Sequence, residues 1–467
     1  MATTNTVLPS SFRDPSGFLF RQDGTLYRQI NRGYRDHYDH LMQSGLYRSL
    51  LKAGLLIPHQ EVTLEPHPAT VPSSKDHYKT LRPEPIPFIS YPYEWCFSQH
   101  KAAALATLQI QKIALDFGMV LKDASAYNIQ FKAGRPILID TLSFETYREG
   151  QPWVAYRQFC QHFLAPLALM THKDIRLNQL LRIYLDGIPL DLASSLLPRG
   201  TYLHFSLLSH VHLHAKSQKR HEGSTIPSTK TRGLSRQAFL GLIDSLETAV
   251  HKLHYPLHDS TWSSYYQENT YSQEAMGEKT ALVGALLDIS ESKGVWDLGS
   301  NTGLFSRQAA GKGIPTISFE ADPTCVEMNY RSCIEKGETK ILPLVLDLTN
   351  PSSSLGWASQ ERLSLLERGP ADTILALALI HHLAIANNVP LDRIAHFLKS
   401  LCHSLIIEFV PKSDSQVQRL LSTRTDVFPD YTRETFETEF QKHFFIERVI
   451  KIRSTERYLY LMRGQKT

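Results

Sequence analysis

Three acidic residues follow strand-like runs in the C-terminal half of the chain. A short apolar run ends at Asp297, the next strand-like run ends at Glu320, and a third is followed by Asp347. Open parallel sheets bind ligands outside the carboxyl ends of their strands, where carboxylates accept hydrogen bonds from hydroxyl and amino groups. The spacing predicts one polar ligand site, in which Glu320 accepts hydrogen bonds from hydroxyl groups of the ligand and Asp347 accepts one from an amino group of the ligand. Asp297 would face a cationic amino group or the N–H groups of the following turn.

The turn after Asp297 favours close approach between the backbone and a ligand. It reads GSNTG over 299–303 and leads into a helix-like segment whose N-terminus would face the same place. Asn is the non-glycine residue that best tolerates a positive φ, so the turn keeps its shape with Asn301 at its centre. A dinucleotide-binding G-x-G-x-x-G counted from Gly299 would need glycine at Asn301 and Leu304, so the spacing excludes that fingerprint.

The elements that must position these residues alternate between strand and helix. We predict strands over 294–298, 314–320, 341–346, 373–379 and 405–410, and a closely spaced last pair over 444–450 and 458–462. We predict helices over 303–310, 322–336 and 391–401. The alternation predicts an α/β fold with a parallel sheet covered on both faces, and the last pair predicts an antiparallel finish.

With these residues, the region from about 260 to 467 resembles class I S-adenosylmethionine-dependent methyltransferases. The resemblance implies a seven-stranded, mostly parallel Rossmann-like sheet with a reversed last strand, and S-adenosyl-L-methionine as cofactor. Asn301 departs from that family, which most often has glycine there. The cofactor-binding residues that the resemblance implies are Asp297, Gly299, Ser300, Asn301, Gly303, Glu320, Ala321, Asp347 and Leu348. Glu320 would bind the ribose hydroxyls and Asp347 the adenine amino group, while Asp322 is an alternative ribose ligand or a helix N-cap.

Two adjacent histidines, His381 and His382, follow the fourth predicted strand. In such methyltransferases this strand end borders the transferred methyl group and the acceptor. A histidine that titrates near neutral pH could remove an acceptor proton, so both are candidate catalytic residues. The alternative is structural, with one imidazole packed against the backbone and the other capping the next helix. Glu408, near the end of the fifth strand, could also reach the cleft or be structural.

The N-terminal half contains a second pattern, Asp123-x₄-Asn128, a short hairpin, and Asp140 after an apolar strand. It resembles the catalytic and metal loops of protein-kinase-like phosphotransferases. The resemblance implies ATP and magnesium, with Asp123 orienting the acceptor hydroxyl and with Asn128 and Asp140 as metal ligands. A predicted hairpin over 17–28 and a predicted helix over 101–117 agree with it.

This second pattern departs from that family in several places. Leu121-Lys122 stands before Asp123 instead of His-Arg or His-Gly, and no Gly-rich phosphate loop is visible. Thr141 and Leu142 follow Asp140 where protein kinases have Phe-Gly. The alternative is an α+β accessory domain in which these polar residues make and cap turns.

Length and composition set the domain organisation. A chain of 467 residues is too long for one core. We predict an N-terminal α+β domain over 1–215, either accessory or kinase-like. A basic polar linker follows over 216–234, and then the methyltransferase-like domain with a helical lead-in over 235–467.

Composition also excludes several functions. The net charge is only +4, and the sequence lacks the dense Lys/Arg stripe of a nucleic-acid binder. No apolar run is long enough to span a membrane, and the N-terminus does not resemble a signal peptide. The five cysteines are scattered without a C-x-x-C, which favours reduced thiols and a cytoplasmic location.

The whole chain is similar to long bacterial proteins that are described as methyltransferases and grouped with nodulation-type host-specificity proteins. We expect a methyltransferase whose acceptor is a small molecule, a glycan or lipid precursor, or a protein, selected by the N-terminal domain. Two alternatives stay open. One is a bifunctional phosphotransferase-methyltransferase, and the other is a non-catalytic cofactor-binding scaffold with a pseudokinase-like module.

Overall fold

The computed structural model describes residues 6–64, 76–216, 234–255, 273–422 and 425–465. The chain forms two compact units, Met1–Pro256 with Ser354–Arg362, and Leu257–Ser353 with Leu363–Thr467. The predicted domain start at residue 235 does not coincide with this division, because the helix that begins there belongs to the first unit. Most of the predicted linker over 216–234 lies outside the described residues.

The first unit is α+β, as predicted. Its largest sheet is antiparallel and has the order β1-β2-β3-β5-β4. The strands are β1 (Thr6–Val7), β2 (Gly17–Gln22), β3 (Thr25–Asn31), β4 (His59–Val62) and β5 (His77–Pro83). Two further antiparallel pairs are β6 (Met119–Leu121) with β9 (Phe144–Thr146), and β7 (Ile129–Lys132) with β8 (Arg135–Leu138).

The predicted hairpin over 17–28 is confirmed as the β2–β3 pair. Its loop is Asp23-Gly24, and both residues adopt a positive φ, as a two-residue turn that matches the strand twist requires. The hairpin places Arg28 on β3.

The described helices of the first unit include one long, largely buried helix. They are α1 (Arg35–Gln43), α2 (Leu46–Lys52), α3 (Phe97–Asp116), α4 (Tyr156–Phe159), α5 (Ala165–His172), α6 (Leu180–Ile183), α7 (Leu190–Leu196), α8 (Phe205–Leu207) and α9 (Arg236–Lys252). The predicted helix over 101–117 lies within α3 except for its last residue, which is the C-cap, and the buried residues of α3 occur all round its surface, as expected for a core helix. Ser235 caps α9 by accepting the N–H of Ala238 at 3.3 Å.

The second unit contains the predicted seven-stranded sheet, so the expected fold class is confirmed. Its order is β12-β11-β10-β13-β14-β16-β15, and only β16 runs in the direction opposite to the other six strands. The strands are β10 (Val295–Leu298), β11 (Thr316–Glu320), β12 (Ile341–Val345), β13 (Ala371–Ala376), β14 (Cys402–Phe409), β15 (Phe444–Lys451) and β16 (Tyr458–Gly464). β13 ends three residues before the predicted end at 379.

Helices cover this sheet. They are α10 (Gln273–Ser290), α11 (Leu304–Gly311), α12 (Pro323–Lys336), α13 (Leu365–Arg368), α14 (Leu391–Leu401), α15 (Ser415–Leu421) and α16 (Arg433–Gln441). Val283 and Leu287 of α10 belong to one buried core with Val295 and Leu375 of the central strands. Every residue of β10 is buried, as expected for a central parallel strand. Among the described helices, none combines the length and apolarity that a membrane crossing requires.

Candidate cofactor site

The three predicted acids lie at neighbouring strand ends. β10, β11 and β12 are adjacent and parallel, with Asp297 opposite Ser318 and Glu320 opposite Val345. Asp347 follows β12 by two residues. The sheet therefore places the three carboxylates along one edge, at the ends where ligands bind.

Asp297 is buried and bonded to the start of α11. It is 2% exposed, and the Ser306 hydroxyl donates to its Oδ2 at 2.6 Å. The backbone N–H of Ser306 also bonds to it. Burial raises the pKa of Asp297 to about 6, against the hydrogen bond from Ser306 and with a further rise from nearby Glu320. A cationic ligand would favour its ionised form.

The turn over 299–303 has the predicted shape. Gly299, Asn301 and Gly303 all adopt a positive φ, at 72°, 50° and 85°. The expectation that Asn301 tolerates this conformation is therefore confirmed. A Cβ added at Gly299 would lie 3.2 Å from the Leu379 side chain, so the turn packs closely against the segment that follows β13.

All backbone N–H groups of this turn bond within the protein. Those of Gly299 and Ser300 donate to the Phe319 carbonyl at 2.9 and 3.0 Å. The N–H of Asn301 donates to Glu320 Oε2 at 2.8 Å. The other two donate to Asn301 Oδ1 (from Thr302) and to the Ser300 carbonyl (from Gly303). A phosphate-binding loop needs free N–H groups, so this turn does not suit a phosphate.

A buried network of polar side chains bonds to the turn over 299–303 through Ser300. Ser318 Oγ donates to Ser300 Oγ at 2.8 Å, lies 2.9 Å from Ser306 Oγ, and receives the Asn329 amide at 2.9 Å. The side chain of Ser300 is thus directed into the protein. Our sequence interpretation missed Ser306, Ser318 and Asn329; their polar side chains in otherwise apolar, core-facing positions were the available signal.

Replacing Gly303 by Ala is expected to destabilise the second unit by about 2 kcal/mol or more, because a Cβ at a positive φ is strained. That Cβ would also lie 2.5 Å from the Asn329 amide nitrogen. Gly311→Ala is the matched control, since no described atom beyond its chain neighbours and its own helix backbone lies within 4 Å of its Cβ position. Thermal unfolding of both variants tests the prediction, and equal melting temperatures would contradict it.

Backbone N–H groups occupy most of the acceptor positions of the Glu320 carboxylate. Its Oε1 accepts the N–H groups of Ala321 and Asp322 at 2.7 and 3.0 Å, and its Oε2 accepts that of Asn301. A carboxylate has about four acceptor positions, so one on Oε2 accepts no hydrogen bond from the part of the chain that the structure describes. Asp322 accepts the N–H of Thr324 at 2.8 Å and is the N-cap of α12, which favours the capping alternative.

Asp347 is the most accessible of the three acids. It is exposed, and its Oδ1 accepts the N–H and hydroxyl of Thr349 at 2.8 and 2.7 Å. Its Oδ2 accepts no hydrogen bond from the described residues. Ala321 is exposed and Leu348 is half-buried beside these acids.

The segment after β13 carries both candidate histidines. Ala378 adopts a φ of 50° and donates its N–H to Glu408 Oε2 at 2.8 Å. His381 is 1% exposed, and its Nδ1 is buried without a partner among the described residues. Burial lowers the pKa of His382 to about 4, and burial together with His382 lowers that of His381 well below its usual value. Both imidazoles are therefore neutral near pH 7 and weak as bases.

A buried chain of ion pairs bonds to this segment through Glu408. Lys279 Nζ is 2.6 Å from Glu408 Oε2, Arg457 is 3.2 Å from Glu408 Oε1, and Arg457 is 2.7 Å from Asp414 Oδ2. The Lys279 ammonium also lies 4.9 Å from the Phe305 ring centre. Burial lowers the pKa of Lys279. Our sequence interpretation gave Glu408 two alternatives, and these partners favour the structural one.

The polar residues of the second sequence pattern, Asp123, Asn128 and Asp140, lie close together in the first unit. Asp123 accepts hydrogen bonds from the backbone of Ser125 at 2.9 Å, from Gln158 at 2.8 Å and from the Asn128 side chain. Burial and nearby Asp140 raise the pKa of Asp123. Among the described residues, no three His, Cys, Asp or Glu side chains are placed to hold a metal ion.

This chain is similar to a known protein over almost its whole length. No family model matches it. It is 35% identical over 456 residues to the nodulation protein NoeA of Rhizobium meliloti strain 1021, covering 96% of this chain and 94% of that protein. This chain belongs to the NoeA family. The whole-length resemblance expected from the sequence is thereby confirmed, and it extends over both units of the NoeA-like chain.

Solved structures are similar to parts of this NoeA-family chain. The bifunctional kinase-methyltransferase WbdD matches with a TM-score of 0.30 and 14% identity, over 47% of this chain and 46% of that chain. The magnesium protoporphyrin IX methyltransferase ChlM of Synechocystis PCC 6803, with bound SAH, matches with a TM-score of 0.31 and 18% identity, over 44% of this chain and 92% of that chain. This chain thus spans less than half of the WbdD chain.

Proposed function

We propose that this NoeA-family protein is an S-adenosylmethionine-dependent methyltransferase. The observation that carries the proposal is the turn over 299–303, whose N–H groups all bond within the protein while acids stand at the three neighbouring strand ends. S-adenosylmethionine contains an adenosine and a charged amino acid but no phosphate. The site therefore suits it better than a nucleotide cofactor, whose pyrophosphate needs free N–H donors.

Each acid suits a different part of this cofactor. Asp347 Oδ2 is exposed and would accept from the adenine amino group, while the open position on Glu320 Oε2 would accept one ribose hydroxyl. Asp297 would face the cofactor's ammonium group. The backbone of Gly299 would border the ligand, although its Cβ position faces Leu379. Ser300 and Asn301 contribute the shape of the turn rather than donors. From the sequence we expected Glu320 to bind both ribose hydroxyls. We now propose that it binds one of them, because its other acceptor positions accept backbone N–H groups.

When bound, the cofactor would supply an electrophilic methyl group on a sulfonium, with S-adenosylhomocysteine as the leaving group. The protein's part is to align the acceptor and exclude water. Leu377 and Ile380 are buried in the segment after β13 and would keep its protein side apolar. We propose that His381 and His382 orient the acceptor by hydrogen bonding as neutral imidazoles. Their lowered pKa values make them poor proton acceptors.

We propose that the N-terminal unit selects or presents the acceptor, which is a small molecule, a glycan or lipid precursor, or a protein. The protein is proposed to act in the cytoplasm. Because the curated relative is called a nodulation protein, extracts of nodulating bacteria are the first acceptor source to test.

The test is transfer of a labelled methyl group from S-adenosylmethionine to an extract of a strain that lacks the gene. We expect label to enter one fraction with the wild-type protein and not with Asp297→Asn. Equal labelling by both proteins would contradict the site. Cofactor binding without any transfer would instead favour a non-catalytic scaffold.

Cofactor affinity is expected to fall at acidic pH. The pKa of Asp297 is about 6, and a cationic ligand binds its ionised form, so affinity should decrease by up to about tenfold per pH unit below that value. Unfolding stability has the opposite sign. A raised carboxyl pKa stabilises the ligand-free fold below the unfolded value of about 4, and this contribution is lost as pH rises through about 6. Calorimetric titrations from about pH 5 to about pH 8 test this, and Asp297→Asn should show a much flatter profile.

A further inference from the structure

Asp140 of the first unit is already paired with a cation of the chain itself. Arg28 Nη1 lies 2.6 Å from Asp140 Oδ1, and the two side chains are only 12% and 13% exposed. Oδ1 also accepts the N–H of Leu142 at 3.0 Å, and Oδ2 accepts the Ser143 hydroxyl at 2.7 Å. Both oxygens that a metal ion would use are therefore engaged.

A hydrogen-bonded chain connects this ion pair to the other acid. Asn128 bonds to Asp123 through its side chain, and its Nδ2 donates to Ser143 Oγ at 3.3 Å. Ser143 in turn bonds to Asp140. The acids therefore form one cluster, and the guanidinium of Arg28 bonds to it.

Magnesium does not fit this arrangement. Mg²⁺ demands near-octahedral oxygen ligands and binds through accessible carboxylates, whereas Asp140 is closed by a guanidinium, an N–H and a hydroxyl. We propose that Arg28 takes the place of a divalent cation in the Asp123–Asn128–Asp140 cluster, so that the N-terminal unit works without metal-dependent phosphotransfer. Under this proposal Asn128 and Asp140 belong to a metal-free cluster, in contrast to the metal-ligand roles that the resemblance implies. This inference does not depend on S-adenosylmethionine binding.

Removal of the guanidinium leaves a mostly buried carboxylate without its cation, which a metal ion can then neutralise. We therefore expect no saturable Mn²⁺ binding by the full-length wild-type protein. The Arg28→Gln variant should gain affinity by about tenfold or more, and adding Asp140→Asn should abolish that gain. Electron paramagnetic resonance of free Mn²⁺ measures all of these.

Arg21→Gln is the matched control, because Arg21 is exposed on the neighbouring strand β2 and its guanidinium bonds to the Gly24 carbonyl. Arg28→Lys keeps the positive charge and should stay metal-free. Saturable binding by the wild-type protein that Asp140→Asn removes would overturn the proposal. So would a variant Arg28→Gln that has the wild-type circular dichroism spectrum and gains no affinity. If Arg28→Gln does not fold, the wild-type and Arg28→Lys titrations decide.

Discussion

Replacing Glu408 by Ala is expected to destabilise the second unit by about 3–5 kcal/mol, because it removes the buried carboxylate that Lys279 and Arg457 share. Glu408 is fully buried and bonds to Lys279 and Arg457. It also accepts the N–H of Ala378, which is held at a positive φ. The variant should therefore lose both the ion pairs and the shape of the segment that carries His381.

Urea unfolding followed by tryptophan fluorescence would measure this loss, as would the melting temperature. Glu456→Ala is the matched control, since its pair with Lys451 is solvent-exposed and should contribute little. The double variant Glu408→Ala/Lys279→Met should recover part of the stability, because it removes the ammonium that has lost Glu408, while Arg457 keeps its pair with Asp414. A Glu408→Ala variant as stable as Glu456→Ala would contradict the role of this network.

Asp297→Asn is expected to weaken S-adenosylmethionine binding by roughly 100-fold, equivalent to about 2–3 kcal/mol, because the cofactor's ammonium loses its charged partner. The fold should be kept. The amide oxygen of Asn can still accept the hydrogen bond from Ser306, and the buried negative charge is gone.

Calorimetric titration of the variant would test this, with Asp288→Asn as control. Asp288 lies on the surface of α10 and pairs with Lys312, so its replacement should leave the affinity unchanged. An affinity within about twofold of wild type for Asp297→Asn would remove Asp297 from the site.

Much of the second unit follows from local sequence patterns. The alternation of strand and helix predicts the sheet, because each apolar run is short and each turn is marked by Gly or a capping residue. The conformation at Asn301 follows from its tolerance of positive φ. The strand-end acids follow from the geometry of parallel sheets, which places Asp297, Glu320 and Asp347 along one edge.

Long-range ion pairs could not be predicted from the sequence. Lys279, Glu408 and Arg457 are far apart in the chain, and nothing local in their sequence marks them as partners. The end of β13 was predicted too late for a related reason. The apolar run continues to 379, but Ala378 adopts a left-handed conformation while donating to Glu408. Tertiary contacts there override the periodicity.

The first unit shows the same limit. Its acids were identified as a cluster from their spacing, and the structure brings Asp123, Asn128 and Asp140 together. Their chemistry depends on Arg28, which lies on a strand that the sequence placed in a separate hairpin. An acid motif therefore predicts proximity, while the cation that neutralises it is decided by the fold.

The central claim is that the second unit binds S-adenosylmethionine. Calorimetric titration of the wild-type protein with this cofactor, beside parallel titrations with NAD and ATP, tests it most directly. We expect saturable one-site binding of S-adenosylmethionine, and no binding of NAD at the turn over 299–303. Absence of binding by the folded protein, or tighter binding of NAD, would contradict it.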